Sequence, residues 1–364
     1  GGTSATVHAV EQSAVSTVGE YVLNRVTVTD GTLRVGLYNQ AEGGNWLLFN
    51  VKSMKYCGVD LTALVESYEE LLATAKTLKA QDKVMQQTVK TELDEAIAAA
   101  ETDVNTDSRE WLETIISRLS AAISRAQESI LLYEGDILLA VNSMKAQSTS
   151  GDVRAAVQAR YDQRLYATAA EVYDYYRQQE MAALPKQPGT DYTSVIINPG
   201  FEMGNTDGWN VKTKGDDTGV RSTASSLYAY SGTEGDYLFN TWAPRVTTLD
   251  VSQTVSGLPN GYYTVSAQVA GYGDASPIAL TANRTTVTVS PTNTDVDAEV
   301  ANGHKLQAEQ VVVTDGTLTI TVSNTGKGYT FFKADAFKLT LTGLYEPLDN
   351  YIDLAYEVNL ENEA

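Results

Sequence analysis

Val26-Thr-Val-Thr-Asp-Gly-Thr-Leu33 returns near the far end of the chain as Val311-Val-Val-Thr-Asp-Gly-Thr-Leu318. Each copy runs through a polar, glycine-containing loop into an aromatic-rich segment. That segment is Trp46-Leu-Leu-Phe-Asn-Val-Lys-Ser-Met-Lys55 in the first copy and Tyr329-Thr-Phe-Phe-Lys-Ala-Asp-Ala-Phe-Lys338 in the second. Self-similarity of this size means that one β-module occurs twice, with different material between the copies. Around the second copy, Val265, Ala267 and Val269 alternate with Thr264, Ser266 and Gln268, and Leu318, Ile320 and Val322 with Thr317, Thr319 and Thr321. An apolar face and a polar face with period two belong to half-buried strands. Leu258-Pro-Asn-Gly261 and Asp315-Gly316 supply turns, and Asp30-Gly31 reads as a two-residue hairpin. Residues 187–343 are therefore expected as a two-sheet antiparallel sandwich. Residues 1–58 read as strands over 5–12, 21–29, 33–38 and 46–56, but lack the long β-type stretch that precedes the second copy. They are expected as the C-terminal half of such a module, with edges and a core face that the helices or a neighbouring molecule must cover.

The pattern changes at Asp60. Leu61, Leu64, Val65, Tyr68, Leu71 and Leu72 open a stripe with helical spacing that continues to Leu78. Met85 to Ala100 gives a second helix, and Asp107 with Glu110 reads as a capping box before a stripe from Leu112 to Ile130. Gly135 is expected to interrupt, with a shorter helix over 137–144. Ser150 then caps one long helix over 153–183, ended by Pro185 and the Pro188-Gly189 turn. Residues 59–186 are thus expected as an antiparallel bundle of four or five helices. Residues 344–364 are acidic and are expected as an amphipathic helix or the start of a further helical unit.

A chain of 364 residues accommodates two or three domains. Its net charge of −20 argues against nucleic acid, which needs a basic surface, and against anionic lipid. A neutral ligand or a structural role stays compatible. No run of about 18 apolar residues occurs to span a membrane. The opening Gly-Gly-Thr-Ser reads as a cut inside a longer protein. Cys57 is the single cysteine, so neither an intrachain disulfide nor a thiolate cluster can form, and it reads as a small buried hydrophobe. Abundant Tyr (21) and Gly (27) with only two His suit extracellular β-domains with polar loops.

Catalysis finds little support. No nucleophile elbow, zincin motif, P-loop or dinucleotide fingerprint is present. His8 and His304 are isolated in β-type context, and no histidine lies among the helices to complete a carboxylate metal site. Sugar recognition instead needs an aromatic face for the C–H surface of a ring, flanked by groups that bond its hydroxyls. Trp242, beside Pro244 and Arg245 in a segment too polar for a core strand, is the leading candidate. Tyr230, Tyr272, Tyr228 and Tyr237 are candidate partners, with Asn240, Arg245 and Asp274 nearby. The competing reading makes these tyrosines cover for the sandwich, and makes Trp209, Trp111 and Trp46 packing residues.

Asn198-Pro-Gly-Phe-Glu202 followed by Asp207-Gly-Trp209 resembles the opening of a galactose-binding-like jelly roll, the superfamily of many carbohydrate-binding modules of secreted bacterial proteins. The resemblance continues through Phe239-Asn-Thr-Trp242, the 250–267 segment and Asp315-Gly-Thr-Leu318, closing at Phe331-Phe-Lys-Ala-Asp-Ala-Phe-Lys-Leu339. It covers residues 190–343, and its second half covers 3–56. More loosely, the helices resemble the FIVAR-type spacers of bacterial surface proteins. The resemblance implies a structural calcium held by Glu202 and Asp335, with Asn198 as a third ligand; the plain alternative is a pair of hydrogen-bonded strand-end carboxylates. Lys52 stands where Asp335 does, so the first copy should not hold calcium in the same way. The expected function is non-catalytic binding of a glycan or polysaccharide at the extracellular surface, outer-membrane surface or periplasm of a bacterium. The alternatives are an adhesion or scaffolding protein that binds another surface protein, and more remotely an accessory region of a glycoside hydrolase.

Overall fold

The computed structural model describes residues 61–345 apart from 82, 246, 274–276, 291–301 and 327–329, with backbone alone at 213, 272–273, 326 and 330–331. The expected half-module at 1–58, with His8, Trp46, Lys52 and Cys57, lies outside the described residues, as do Asp274 and the acidic segment after Tyr345.

Six helices are present among the described residues: α1 (Thr62–Ala80), α2 (Gln87–Glu101), α3 (Arg109–Glu134), α4 (Asp136–Gln147), α5 (Gly151–Asp162) and α6 (Ala169–Ala183). Ser150 caps α5 as expected, accepting from the Val153 N–H at 3.4 Å. Two expectations are corrected. The cap of α3 is Ser108, whose Oγ accepts from Trp111 N at 3.3 Å, and not Asp107. The long helix over 153–183 is two helices, because Thr168-Ala-Ala-Glu171 starts a new one. Thr168 Oγ1 accepts from Glu171 N at 3.2 Å, and Glu171 Oε2 accepts from Ala167 N at 2.8 Å. This reciprocal capping satisfies N–H groups that a continuous helix would have bonded internally, and Arg164 at φ 62° turns the chain between the two.

The chain forms two compact units. One combines α1 with the 92–124 parts of α2 and α3; the other combines residues 83–91, the rest of α3, α4–α6 and the strands. Helices α4–α6 thus fall in the same unit as the strands. In the first unit, Tyr68 donates to the Ala100 carbonyl at 2.9 Å and meets Trp111 edge-on at 5.3 Å, so Trp111 is a packing residue.

The strands are β1 (Asn210–Thr213), β2 (Asp217–Ser222), β3 (Tyr237–Ala243), β4 (Thr247–Ser256), β5 (Gly261–Gly273), β6 (Ile278–Ala282), β7 (Thr285–Val289), β8 (His304–Val313), β9 (Thr317–Gly326) and β10 (Thr330–Leu344). They form two five-stranded antiparallel sheets in the orders β1-β4-β9-β6-β7 and β2-β3-β10-β5-β8. The Asp315-Gly316 turn joins β8 of one sheet to β9 of the other, so it is an arch over the core. Leu258–Gly261 is a second arch, from β4 to β5. The arches brace each other: Leu258 N donates to the Gly316 carbonyl, and Gly316 N to Asn260 Oδ1, each at 3.0 Å. Gly316 takes φ +72°, a conformation that disfavours any side chain.

Alternate residues of both sheets meet in one core, among them Phe239, Val251, Val265, Leu306, Ile320 and Phe332. Trp209 plugs its end, with its ring 4.4 Å from Phe337 and 5.3 Å from Phe201, and its Nε1 donates to the Asn198 carbonyl at 2.9 Å. Helix α6 is sewn to this body through polar groups. Arg177 donates to the Val195 carbonyl and to Gln253 Oε1, both at 3.1 Å, and Gln253 closes a pair of bonds with the Ile197 backbone. Phe337→Ala should empty space beside Trp209 and Phe201 and cost about 3–5 kcal/mol, read by chemical denaturation; a loss below about 1 kcal/mol would contradict this packing.

Candidate functional site

Strand β10 lies between β3 and β5 and carries the chemistry of its sheet. Up to Asp335 its even residues, Phe332 and Ala334, enter the core, so positions 331, 333 and 335 belong to the opposite face. A bulge then shifts the register between Asp335 and Lys338, with Ala336 at φ 50°. The parity reverses, and Phe337, Leu339 and Leu341 fill the core instead.

At the bulge two carboxylates converge. A Cβ built on Gly200 would lie 3.4 Å from Asp335 Oδ1 and 3.6 Å from Glu202 Oε1. Asp335 is wholly buried; its Oδ2 accepts from Glu234 N at 2.8 Å and its Oδ1 from Ala336 N at 2.6 Å. Glu202 accepts from Asp236 N at 2.8 Å and Tyr237 N at 3.3 Å. Burial pushes the Asp335 carboxyl up to about 7; its two backbone donors oppose this, and the Glu202 and Glu234 charges add to it. Asn198 and Phe201 also adopt positive φ, at 56° and 58°, so unusual backbone gathers around the pair. The Asn198 side chain serves the loop that carries Glu202, accepting from Met203 N at 3.1 Å and donating to the Asn205 carbonyl at 2.9 Å.

The donor set suits a hard divalent cation: a wholly buried carboxylate, Asp335, meets an exposed one, Glu202, and their charge repels itself when nothing neutralises it. The described residues contain no cluster of three or more acidic, histidine or cysteine side chains, so further ligands would be backbone carbonyls or water.

The expected sugar residues lie on the same sheet. Leu238, Asn240 and Trp242 alternate with core residues on β3 and belong to the face away from the core. Trp242 is half-buried. It pairs in register with Asp217 on β2 and with position 331 on β10, which pairs with position 272 on β5. Asp217, Trp242 and backbone positions 331 and 272 thus share one cross-strand register row. Gly215 lies so close that any Cβ there would overlap the Trp242 carbonyl. Asn240 is buried, donating to the Asp217 carbonyl and to its Oδ2, each at 3.1 Å. Arg245 is exposed and pairs with Asp216 at 2.9 Å.

Tyr230 is corrected from platform to packing residue. It is 6% exposed, packs on Leu238 and Ala270, and donates to the Gln268 carbonyl at 3.0 Å, so its ring offers no face to a ligand. It belongs to a strap, residues 223–236, that links β2 to β3 and covers the rows beyond Trp242. Tyr228, half-buried in the strap, donates to Asp217 Oδ2 at 3.5 Å. Tyr237 is exposed at the strap's end. His304 is half-buried at the start of β8.

Sequence reasoning missed Asp217, Arg221 and Lys333. Arg221 bonds Asp217, which holds the guanidinium above its usual range, and it lies over the Tyr228 ring at 5.8 Å. Lys333 is 2% exposed, opposite Asn240 on the row next to Trp242. Its Nζ donates to the Leu227 and Tyr228 carbonyls at 2.7 and 3.0 Å, and burial lowers its pKa to about 8. The available signal was parity: strand alternation puts 217 and 221 on one face, and likewise 331, 333 and 335.

No family model and no curated protein matches the chain, whereas solved structures do. TmCBM61 in complex with β-1,4-galactotriose is 28% identical, covering 40% of this chain and 95% of that one, with a TM-score of 0.34. The CBM22-1 xylan-binding domain from Paenibacillus barcinonensis Xyn10C is 17% identical, over 44% and 100%, with a TM-score of 0.29. A cyclase from Fischerella sp. TAU, in complex with 4-(1H-indol-3-yl)butan-2-one, is 16% identical, over 42% and 98%, with a TM-score of 0.32. With scores this low, the fold stands on its own strand order and register.

The raised Asp335 carboxyl gives a testable pH dependence. Without a cation, the folded state keeps a proton that the unfolded state loses above about pH 4. The associated stability is complete below that value and is lost as the pH rises through about 7. The Tm in chelator should therefore fall from about pH 5 to about pH 8, and Asp335→Asn should flatten that fall; equal slopes in the two proteins would contradict the assignment.

Proposed function

We propose that the chain is a non-catalytic glycan-binding protein whose site is the row Asp217, Trp242, Phe331 and Tyr272. The observation that carries this reading is Trp242, half-buried on the face opposite the core and paired in register with Asp217, on a row whose backbone continues through positions 331 and 272. Strands are about 4.8 Å apart, so the row suits two or three pyranose rings of a neutral glycan lying across the strands. Trp242 stacks on a ring's C–H face, and Asp217, steered by Arg221 and Asn240, accepts from its hydroxyls. Arg245, with Asp216, borders the row at the end of β3.

Glu202 and Asp335 hold calcium, which neutralises the pair and stabilises the loop at Asn198 and the bulge without touching sugar. The setting that the sequence resemblance implies, the surface or periplasm of a bacterium, suits such a module, with the helices as spacer.

A second reading, adhesion or scaffolding without a sugar site, draws support from the polar seam of Arg177 and Gln253, which makes α6 and the sandwich one stiff piece. A glycan array separates the two. Binding to neutral β-linked oligosaccharides, weakened about tenfold or more by Trp242→Ala, is expected; no binding, or binding indifferent to the substitution, would favour the second reading. Adding calcium to chelated protein should raise Tm by several degrees (about 2–8 °C for 1–2 kcal/mol) in the parent and not in a Glu202→Gln, Asp335→Asn double variant. An unchanged parent Tm would dismiss the cation.

A further inference from the structure

The most unusual side chain outside the row is Lys333. A lysine is seldom buried without a carboxylate partner; this one is 2% exposed, and the bonds described for it run to two carbonyls of the strap, Leu227 and Tyr228. Its ammonium lies 5.7 Å from the centre of the Tyr228 ring, and the Arg221 guanidinium 5.8 Å from the same centre. Two cations therefore address one aromatic face system, which becomes more favourable as water is excluded. The Tyr228 hydroxyl in turn reaches Asp217, the carboxylate at the end of the row.

At this point Asp217 and Arg221 hold the Tyr228 side chain, and Lys333 holds the backbone of the turn. The strap's middle, Ala224-Ser-Ser-Leu227, is exposed, including Leu227 at 65%. Its far end is tied elsewhere, through Tyr230 to Gln268 and through Glu234 and Asp236 to the carboxylate pair. Lys333 is thus the tie described for the carbonyls of the Leu227–Tyr228 turn.

We propose that Lys333 is a positioning residue for the glycan site: its buried ammonium fixes the Leu227–Tyr228 turn so that Tyr228 forms the side wall of the row. This rests on the reading of the row as a sugar site and deepens it. With the wall in place, the rows of Asn240 and Leu238 are closed, and a glycan is confined to lie across the strands rather than along them. The class of ligand selected is a short stretch of neutral oligosaccharide, with affinity that stops rising once the row is full.

The test uses the whole chain with Lys333→Met, Lys333→Arg and Tyr228→Ala. Two readouts are followed: calorimetric affinity for a ladder of neutral β-linked oligosaccharides from two to six units, and chymotrypsin cleavage at Leu227, Tyr228 and Tyr230. Expected results are faster strap cleavage in Lys333→Met, affinity lowered about tenfold, partial return of both in Lys333→Arg, and an equal loss of affinity in Tyr228→Ala. A strap that stays protected in Lys333→Met overturns the proposal whatever the glycan result. So does an opened strap with unchanged affinity, or a Tyr228→Ala protein that binds as the parent does. If Lys333→Met does not fold, Tyr228→Ala decides alone. A parent protein that binds no oligosaccharide, while the strap opens in Lys333→Met, overturns the sugar site and with it this role of Lys333, yet leaves Lys333 as the strap's anchor.

Discussion

One extra residue in β10 governs the second unit. Without the bulge at Ala336, strict alternation would place Phe337, Leu339 and Leu341 on the outer face and empty the core of three large side chains. With it, the same strand serves two masters in succession: Lys333 and Asp335 on the outer face, then the aromatic and aliphatic plug against Trp209. The positive φ of Ala336 costs about 1 kcal/mol or more, and burial of Phe337 and its neighbours offsets that, at about 1.5–3 kcal/mol for each large apolar side chain. Stability of the core and placement of the carboxylate pair are therefore one constraint.

Electrostatics on the outer face follows from that constraint. Four ionisable groups, Asp335, Lys333, Asp217 and Arg221, lie under or beside the strap. Each is handled differently. Asp335 is buried with backbone donors and a nearby like charge, and its carboxyl rises to about 7. Lys333 is buried on carbonyls and its amine falls to about 8. Asp217 remains partly open to water, paired with Arg221, at the edge where a ligand would arrive. Buried Asp335 and Lys333 hold backbone in place, whereas Asp217 meets solvent. Desolvation thus sorts structural charge from the charge suited to recognition.

Much of this was legible in the sequence. The two-sheet sandwich over 187–343 followed from alternation at 264–269 and 317–322, and the convergence of Glu202 with Asp335 followed from the family resemblance. The α5–α6 break was written in Thr168-Ala-Ala-Glu171, but hydrophobic spacing continues across it and masks the cap. The Asp315-Gly316 turn was legible as a turn, but a turn signal fixes local backbone and not which sheet the next strand joins; long-range pairing decides that. Tyr230 was assigned to a platform because a polar loop context looks exposed, whereas folding of the strap onto Leu238 and Ala270 buries it. Asp217, Arg221 and Lys333 escaped notice since pairing of β2 with β3 and of β3 with β10, more than the residues themselves, brings them together.

The most direct measurement is backbone and indole amide NMR of the chain during titration with a neutral β-linked trisaccharide. The account requires shifts concentrated at Asp217, the Trp242 indole, residues 331 and 272, and the Leu227–Tyr228 turn, with the opposite sheet silent. Saturable shifts centred on the other sheet or on the helices, with the Trp242 indole unmoved, would contradict it.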